Sequence, residues 1–165
     1  MSKTIVQIAI VGLALLILTL VFFWDSGEQA AIPDSLGSLQ RTEVITGQEA
    51  QSYIDRLHGK GVTPEANFIA RYTSEDSEAT FFISQYREKT DASEAESKMT
   101  TLIRNGHPVF GHYREITMKG KTIRLCLGMG QAHFFFAHHD RVYWLSVDMP
   151  VAQSALESLV QTLET

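Results

Sequence analysis

The stretch from Ile5 to Trp24 constrains this chain more than any other, because Gln7 and Thr19 are its only polar side chains and it carries no charge. At about 1.5 Å per residue, a helix of that length spans about 30 Å, the thickness of a bilayer core. It is apolar on every face, where a soluble helix would show a polar stripe. The pattern predicts a transmembrane helix over residues 5–24. Lys3 is the one basic residue ahead of it, and Asp25, Glu28 and Asp34 follow it with no Lys or Arg until Arg41. That bias predicts a cytoplasmic N-terminus at residues 1–4 and an extracytoplasmic body, periplasmic in a bacterium. Lys3 and Trp24 are the expected membrane anchors at the two interfaces. A cleaved secretory signal is the competing reading, but its apolar region runs about 7 to 15 residues and ends at a small-residue site, which Glu28-Gln-Ala-Ala31 fits poorly. Both readings export the body.

Beyond Trp24 lie 13 of the 14 basic residues and all 19 acidic ones, a net charge of −6 with His neutral. This excludes a general nucleic-acid-binding surface. Residues 25–42 contain Gly27, Pro33 and Gly37 without apolar periodicity, and they predict a tether that holds the body within about 25 Å of the bilayer. A single folded domain is expected over 43–165. Thr46-Gly-Gln-Glu49 has capping-box spacing ahead of a helix with Ala50, Tyr53, Ile54 and Leu57 on one face. Two strand-like runs, Ala66 to Thr73 and Ala79 to Tyr86, flank a polar turn. Asp91 then opens a second helix with Ala92, Ala95, Met99, Leu102 and Ile103 along one stripe. Four more strand-like runs follow, and Pro150 suits the first turn of a last helix. The expected fold is α+β: an N-terminal transmembrane helix, then one antiparallel sheet of about six strands with three helices packed on it, in the body order α-β-β-α-β-β-β-β-α.

The densest chemistry lies in Gln131-Ala-His-Phe-Phe-Phe-Ala-His-His-Asp-Arg-Val-Tyr-Trp144. With strand alternation, Phe134 and Phe136 point one way and Phe135 the other, and a turn at His139-Asp140 sets Phe136 opposite Tyr143 and Phe135 opposite Trp144. Either this hairpin is central core, or Phe134, Phe135, Phe136, Tyr143 and Trp144 form an aromatic patch for a partner or an apolar ligand. A second reading takes the histidines. His133 and His138 diverge on a regular strand, but His107 or His112, brought round by Pro108 and Gly111, joins His138, His139 and Asp140 in a site for copper or zinc, with Met129 as a soft ligand.

Other motifs carry less. Cys126 stands alone, so the chain has no intramolecular disulfide, and its flanks read as a strand that buries the thiol. Gly128-Met-Gly130 precedes no helix and is therefore not a phosphate loop. Arg124 is expected to meet Glu115 across a hairpin. No catalytic constellation and no required cofactor emerge from these residues. The chain reads as a single-pass membrane-anchored extracytoplasmic binding or assembly module, an accessory to a membrane complex with a protein partner close to the bilayer. The alternative is a metal or redox-cofactor handler that uses the His-rich tip.

Overall fold

Short polar turns between alternating apolar runs leave sequence neighbours little choice but to pair antiparallel. In a computed structural model of the protein, residues 32–58 and 65–164 are described. They form β1 (Ser35–Leu36), β2 (Leu39–Thr46), α1 (Gly47–His58), β3 (Ala66–Thr73), β4 (Glu78–Gln85), α2 (Lys89–Arg104), β5 (Gly111–Met118), β6 (Lys121–Gly128), β7 (Gln131–His138), β8 (Arg141–Asp148), a 3-10 turn (Met149–Val151) and α3 (Ala152–Thr162). All eight strands belong to one curled antiparallel sheet in the order β1-β2-β3-β4-β8-β7-β6-β5. Lys119-Gly120 and Met129-Gly130 join their strands with positive φ at both positions, as a type I′ hairpin turn requires.

This corrects the expected fold, which had about six strands. The extra pairing comes from Ser35 to Thr46, most of which the sequence presents as tether. A register shift between Arg41 and Glu43 explains the misreading. Arg41 pairs with Tyr72 and Glu43 with Arg71, so the strand changes parity at Thr42 and no period-2 pattern survives. Leu39 therefore faces one side of the sheet and Ile45 the other. Among the described residues no helix is long and apolar enough to cross a membrane. The expected span at 5–24, with Lys3 and Trp24, lies outside them.

Helices α1 and α2 cover one face. Ala50 and Ile54 of α1 pack on Ile45 and Ile69, and Ile103 of α2 packs on Cys126 and Phe135. Helix α3 covers the other face with Ala155, Leu156, Leu159 and Val160, all at most 2% exposed. On that face Tyr72, Phe81, Phe136, Tyr143 and Leu145 form the buried layer. Burying side chains of this size contributes about 1.5 to 3 kcal/mol each, which is why both faces must be covered for the domain to hold.

Helix α3 reaches both flanks of the curled sheet. At one end, Ser158 Oγ donates to Ser35 O over 3.5 Å, and Gly37 passes so close that a Cβ there would lie 3.0 Å from Ser154 Oγ. Gly37 also has φ +61, so two independent constraints select glycine. At the other end, Lys119 in the β5–β6 turn reaches Gln161 and Glu164.

Candidate functional site

The β7–β8 register pairs Phe135 with Trp144 and Phe136 with Tyr143. Phe135 and Trp144 stack at 4.9 Å under α2, and Phe136 stacks on Tyr143 at 5.3 Å on the α3 face. Phe134, Phe135, Phe136 and Tyr143 are all at most 5% exposed, and Trp144 is half-buried. Of the two readings of this hairpin, the burial fits central core rather than an open patch. Helix α2 covers Phe135 and Trp144 on one face, and α3 lies over the face of Phe136 and Tyr143.

One aromatic that the sequence reading left out completes this core. After α2 the chain folds back so that Phe110 lies 5.4 Å from Trp144 and 4.9 Å, edge-on, from His133. Beneath it is Gly128, where a Cβ would come within 2.6 Å of Phe110 Cδ1 and 2.8 Å of the Val109 carbonyl oxygen. Gly128 is thus a seat for the 107–110 segment rather than a flexible joint. His133 sits under this flap, 1% exposed. The indole N–H of Trp144 only donates, so Nδ1 of His133 accepts it at 3.2 Å, and Nε2–H then donates to Gly128 O at 2.9 Å. Burial holds His133 below the usual imidazole range, and its bond to Gly128 O partly offsets that. A neutral, doubly bonded imidazole of this kind serves as a structural bracket.

The expected metal site does not assemble. Gly111 pairs with Leu127, and Leu127 pairs with Ala132, which puts His107 and His112 at one end of the sheet. His138 is six residues further along β7, about 20 Å at 3.4 Å per residue. His107 instead stacks on Phe110 at 5.0 Å, and Val109 N–H donates to its Nδ1 at 3.2 Å. His112 is exposed with φ +55. His138 and His139 do lie together, ring centres 4.1 Å apart, and burial with Lys121, His139 and Lys89 nearby holds His138 below its ordinary range. Among the described residues no group of three or more His, Cys, Asp or Glu is placed to hold an ion.

Arg124 and Glu115 are paired across β5–β6 in the register, as expected, yet the guanidinium forms its ion pair with Glu96 of α2. Glu115 instead accepts from Tyr113 OH at 2.7 Å. The β6–β7 pairing runs from Gly128–Gln131 to Arg124–Phe135 and stops, although both strands continue. Glu96, 8% exposed, fills the opening, and its carboxylate also takes the Ala137 backbone N–H. Burial raises the Glu96 carboxyl above the ordinary range. Arg124 and the Ala137 N–H oppose that shift, and Glu115 adds to it. Cys126 is fully buried beside Ile103 and Phe135, and burial pushes its thiol up to about 11.

His133, Glu96 and Cys126 are thus turned inward, and of the five exposed large apolar side chains among the described residues, Leu57 and Leu102 lie on helices and three lie at one end of the sheet. Met129 is 71% exposed, Met149 53% and Val109 46%. Gly128 and Asp148 both pair with Gln131, so Met129 and Met149 flank that residue, and Val109 seats on Gly128. The β3–β4 turn lies at the same end, because Asp148 Oδ2 accepts Glu78 N–H at 2.8 Å. Thr73 to Glu78 and Asp148 line an open groove there of about 390 Å³. No family model, curated protein or solved structure matches this chain.

Proposed function

We propose that this protein is a membrane-anchored extracytoplasmic binding module that serves as a non-catalytic accessory subunit of a membrane complex. The observation that carries the reading is the rim at the turn end of the sheet, where Met129, Met149 and Val109 are gathered, whereas the other exposed large apolar side chains among the described residues, Leu57 of α1 and Leu102 of α2, lie singly on helices. Exposed apolar groups gathered at one place are what a contact surface offers a partner. The uncharged run at 5–24 supports membrane attachment, with the flanking charges favouring an outward body. A sheet that begins at Ser35 leaves a short connecting stretch, which favours a partner near the bilayer.

The test is the native mass of the full chain after extraction from its membrane in a mild non-ionic detergent. Co-migration with at least one other polypeptide, in a particle heavier than a micelle bearing one 18.5 kDa chain, is the expected result. Recovery of the chain alone under every gentle extraction overturns the reading. Protease added to sealed cells or spheroplasts is expected to cut the body and leave the first few residues protected.

A further inference from the structure

The rim has a chemistry that selects its partner. Its apolar part, Met129 and Met149, is built from unbranched thioether side chains that conform to irregular surfaces. Its polar part is acidic: Glu75 and Asp76 sit in the β3–β4 turn, and Glu78 opens β4 beside Asp148. Asp148 is held by Glu78 N–H and by Gln131 Nε2 at 3.0 Å, which fixes the two strand ends to one another. Glu75, Asp76 and Glu78 are exposed, and among the described residues none of them forms an ion pair.

We infer that this end of the sheet docks a cationic amphipathic segment of a partner protein, with the segment's apolar side on Met129 and Met149 and its Lys or Arg residues on Glu75, Asp76 and Glu78. The inference rests on the binding-module reading and names the chemistry of the partner. Charge complementarity decides between occupants. A second copy of the chain brings the same acids to the same place, and an anionic lipid surface is repelled by them. The net charge of −5 over the chain also steers a basic segment toward this body rather than away from it.

The full chain in phosphatidylcholine nanodiscs is titrated with a labelled peptide of alternating Leu and Lys blocks that forms an amphipathic helix, with empty nanodiscs as the blank. A Leu/Glu peptide of the same pattern and a Lys/Ser peptide of the same charge serve as controls. Two variant sets are compared with the wild type, Met129→Ser with Met149→Ser, and Glu75→Gln with Asp76→Asn and Glu78→Gln. All five positions are outside the core, and circular dichroism verifies the fold. Binding of the Leu/Lys peptide above the blank, weakened about tenfold or more by each variant set and stronger than either control, is the expected result. Binding no stronger than the blank, unchanged binding in both variant sets, or equal binding of the Leu/Glu peptide overturns the inference. The native-mass experiment separates the two readings. A complex that survives both variant sets removes the rim from its assembly and leaves the module reading standing, whereas absence of any complex removes the module reading itself.

Discussion

The Lys119 ammonium stands 3.0 Å from the Glu164 carboxylate and 2.8 Å from Gln161 Oε1, so the β5–β6 turn is tied to the C-terminal end of the helix that also touches β1. The two side chains of the ion pair keep 40% and 36% of their exposure, so water screens most of the attraction. Lys119→Met is expected to lower global stability by only about 0.5 kcal/mol in urea unfolding. Amide exchange in the β5–β6 turn should rise more than that figure implies, because the contact pins a local closure. Equal protection in both proteins would show that the curl persists without it.

Gly128 has the closest approach to a would-be Cβ of the described glycines. Alanine there drives a methyl into the Phe110 ring and the Val109 carbonyl, and only the 107–110 segment can yield. A loss of about 1 to 3 kcal/mol is expected, the usual range for overpacking. Trp144 emission should shift to the red as Phe110 lifts from it. Unchanged emission and stability would contradict the seat described for this residue.

Glu96 acts as a plug in the sheet. Glu96→Gln keeps an acceptor for the Ala137 N–H and is expected to lose about 1 kcal/mol, whereas Glu96→Leu leaves that N–H and the Arg124 guanidinium without it and should lose about 3 kcal/mol. Because burial raises its carboxyl, the contribution of Glu96 is greatest when it is protonated and declines as pH rises through its folded value. Chemical denaturation of both variants at matched pH checks the order.

His133 has the opposite sign. Its folded value lies below the ordinary 6.5, so the unfolded chain takes up the proton first, and its contribution is complete above about 6.5 and lost as pH falls toward the folded value. Protonated Nδ1 would also point a donor at the donor-only indole of Trp144. His138 shifts in the same direction, so the wild-type slope contains both residues. His133→Gln should flatten, without abolishing, the decline in midpoint between pH 6.5 and 5. An identical slope in the variant would assign the effect elsewhere.

Cys126 gives a probe of opening. A fully buried thiol raised to about 11 is expected to resist an aromatic disulfide reagent at pH 8 and to react in one step on unfolding. Rapid labelling of the native protein would mean that α2 leaves the sheet readily.

The strands from Ala66 onward were legible because their side chains keep period 2 and their turns carry Gly or short polar runs. The β7–β8 register followed from placing one turn at His139-Asp140. What failed was non-local. The parity switch at Thr42 hides β2, so the cover over the α3 face was undercounted and Phe136 and Tyr143 looked available. The fate of Arg124 depended on Glu96, a helix residue 28 positions away that spacing rules treat as solvent-facing. His107 and His112 fell at the far end of the sheet from His138 because the strand order was not known. Phe110 and Gly128 carried a weak signal, an apolar residue and a glycine flanking short strands, with nothing to link them.

The strand order also determines how the chain can be assembled in time. Strands β1 to β4 and β5 to β8 are each laid down as consecutive antiparallel neighbours, and the halves meet along the single seam between β4 and β8, where Ala79 lies beside Val147. Closing that seam spans more sequence than any hairpin on either side, so its loop entropy falls on one late event. Chain cleavage between Gln85 and Lys89 would leave two contiguous meanders with complementary edges, and α3 would be the strap that one half lays across the other.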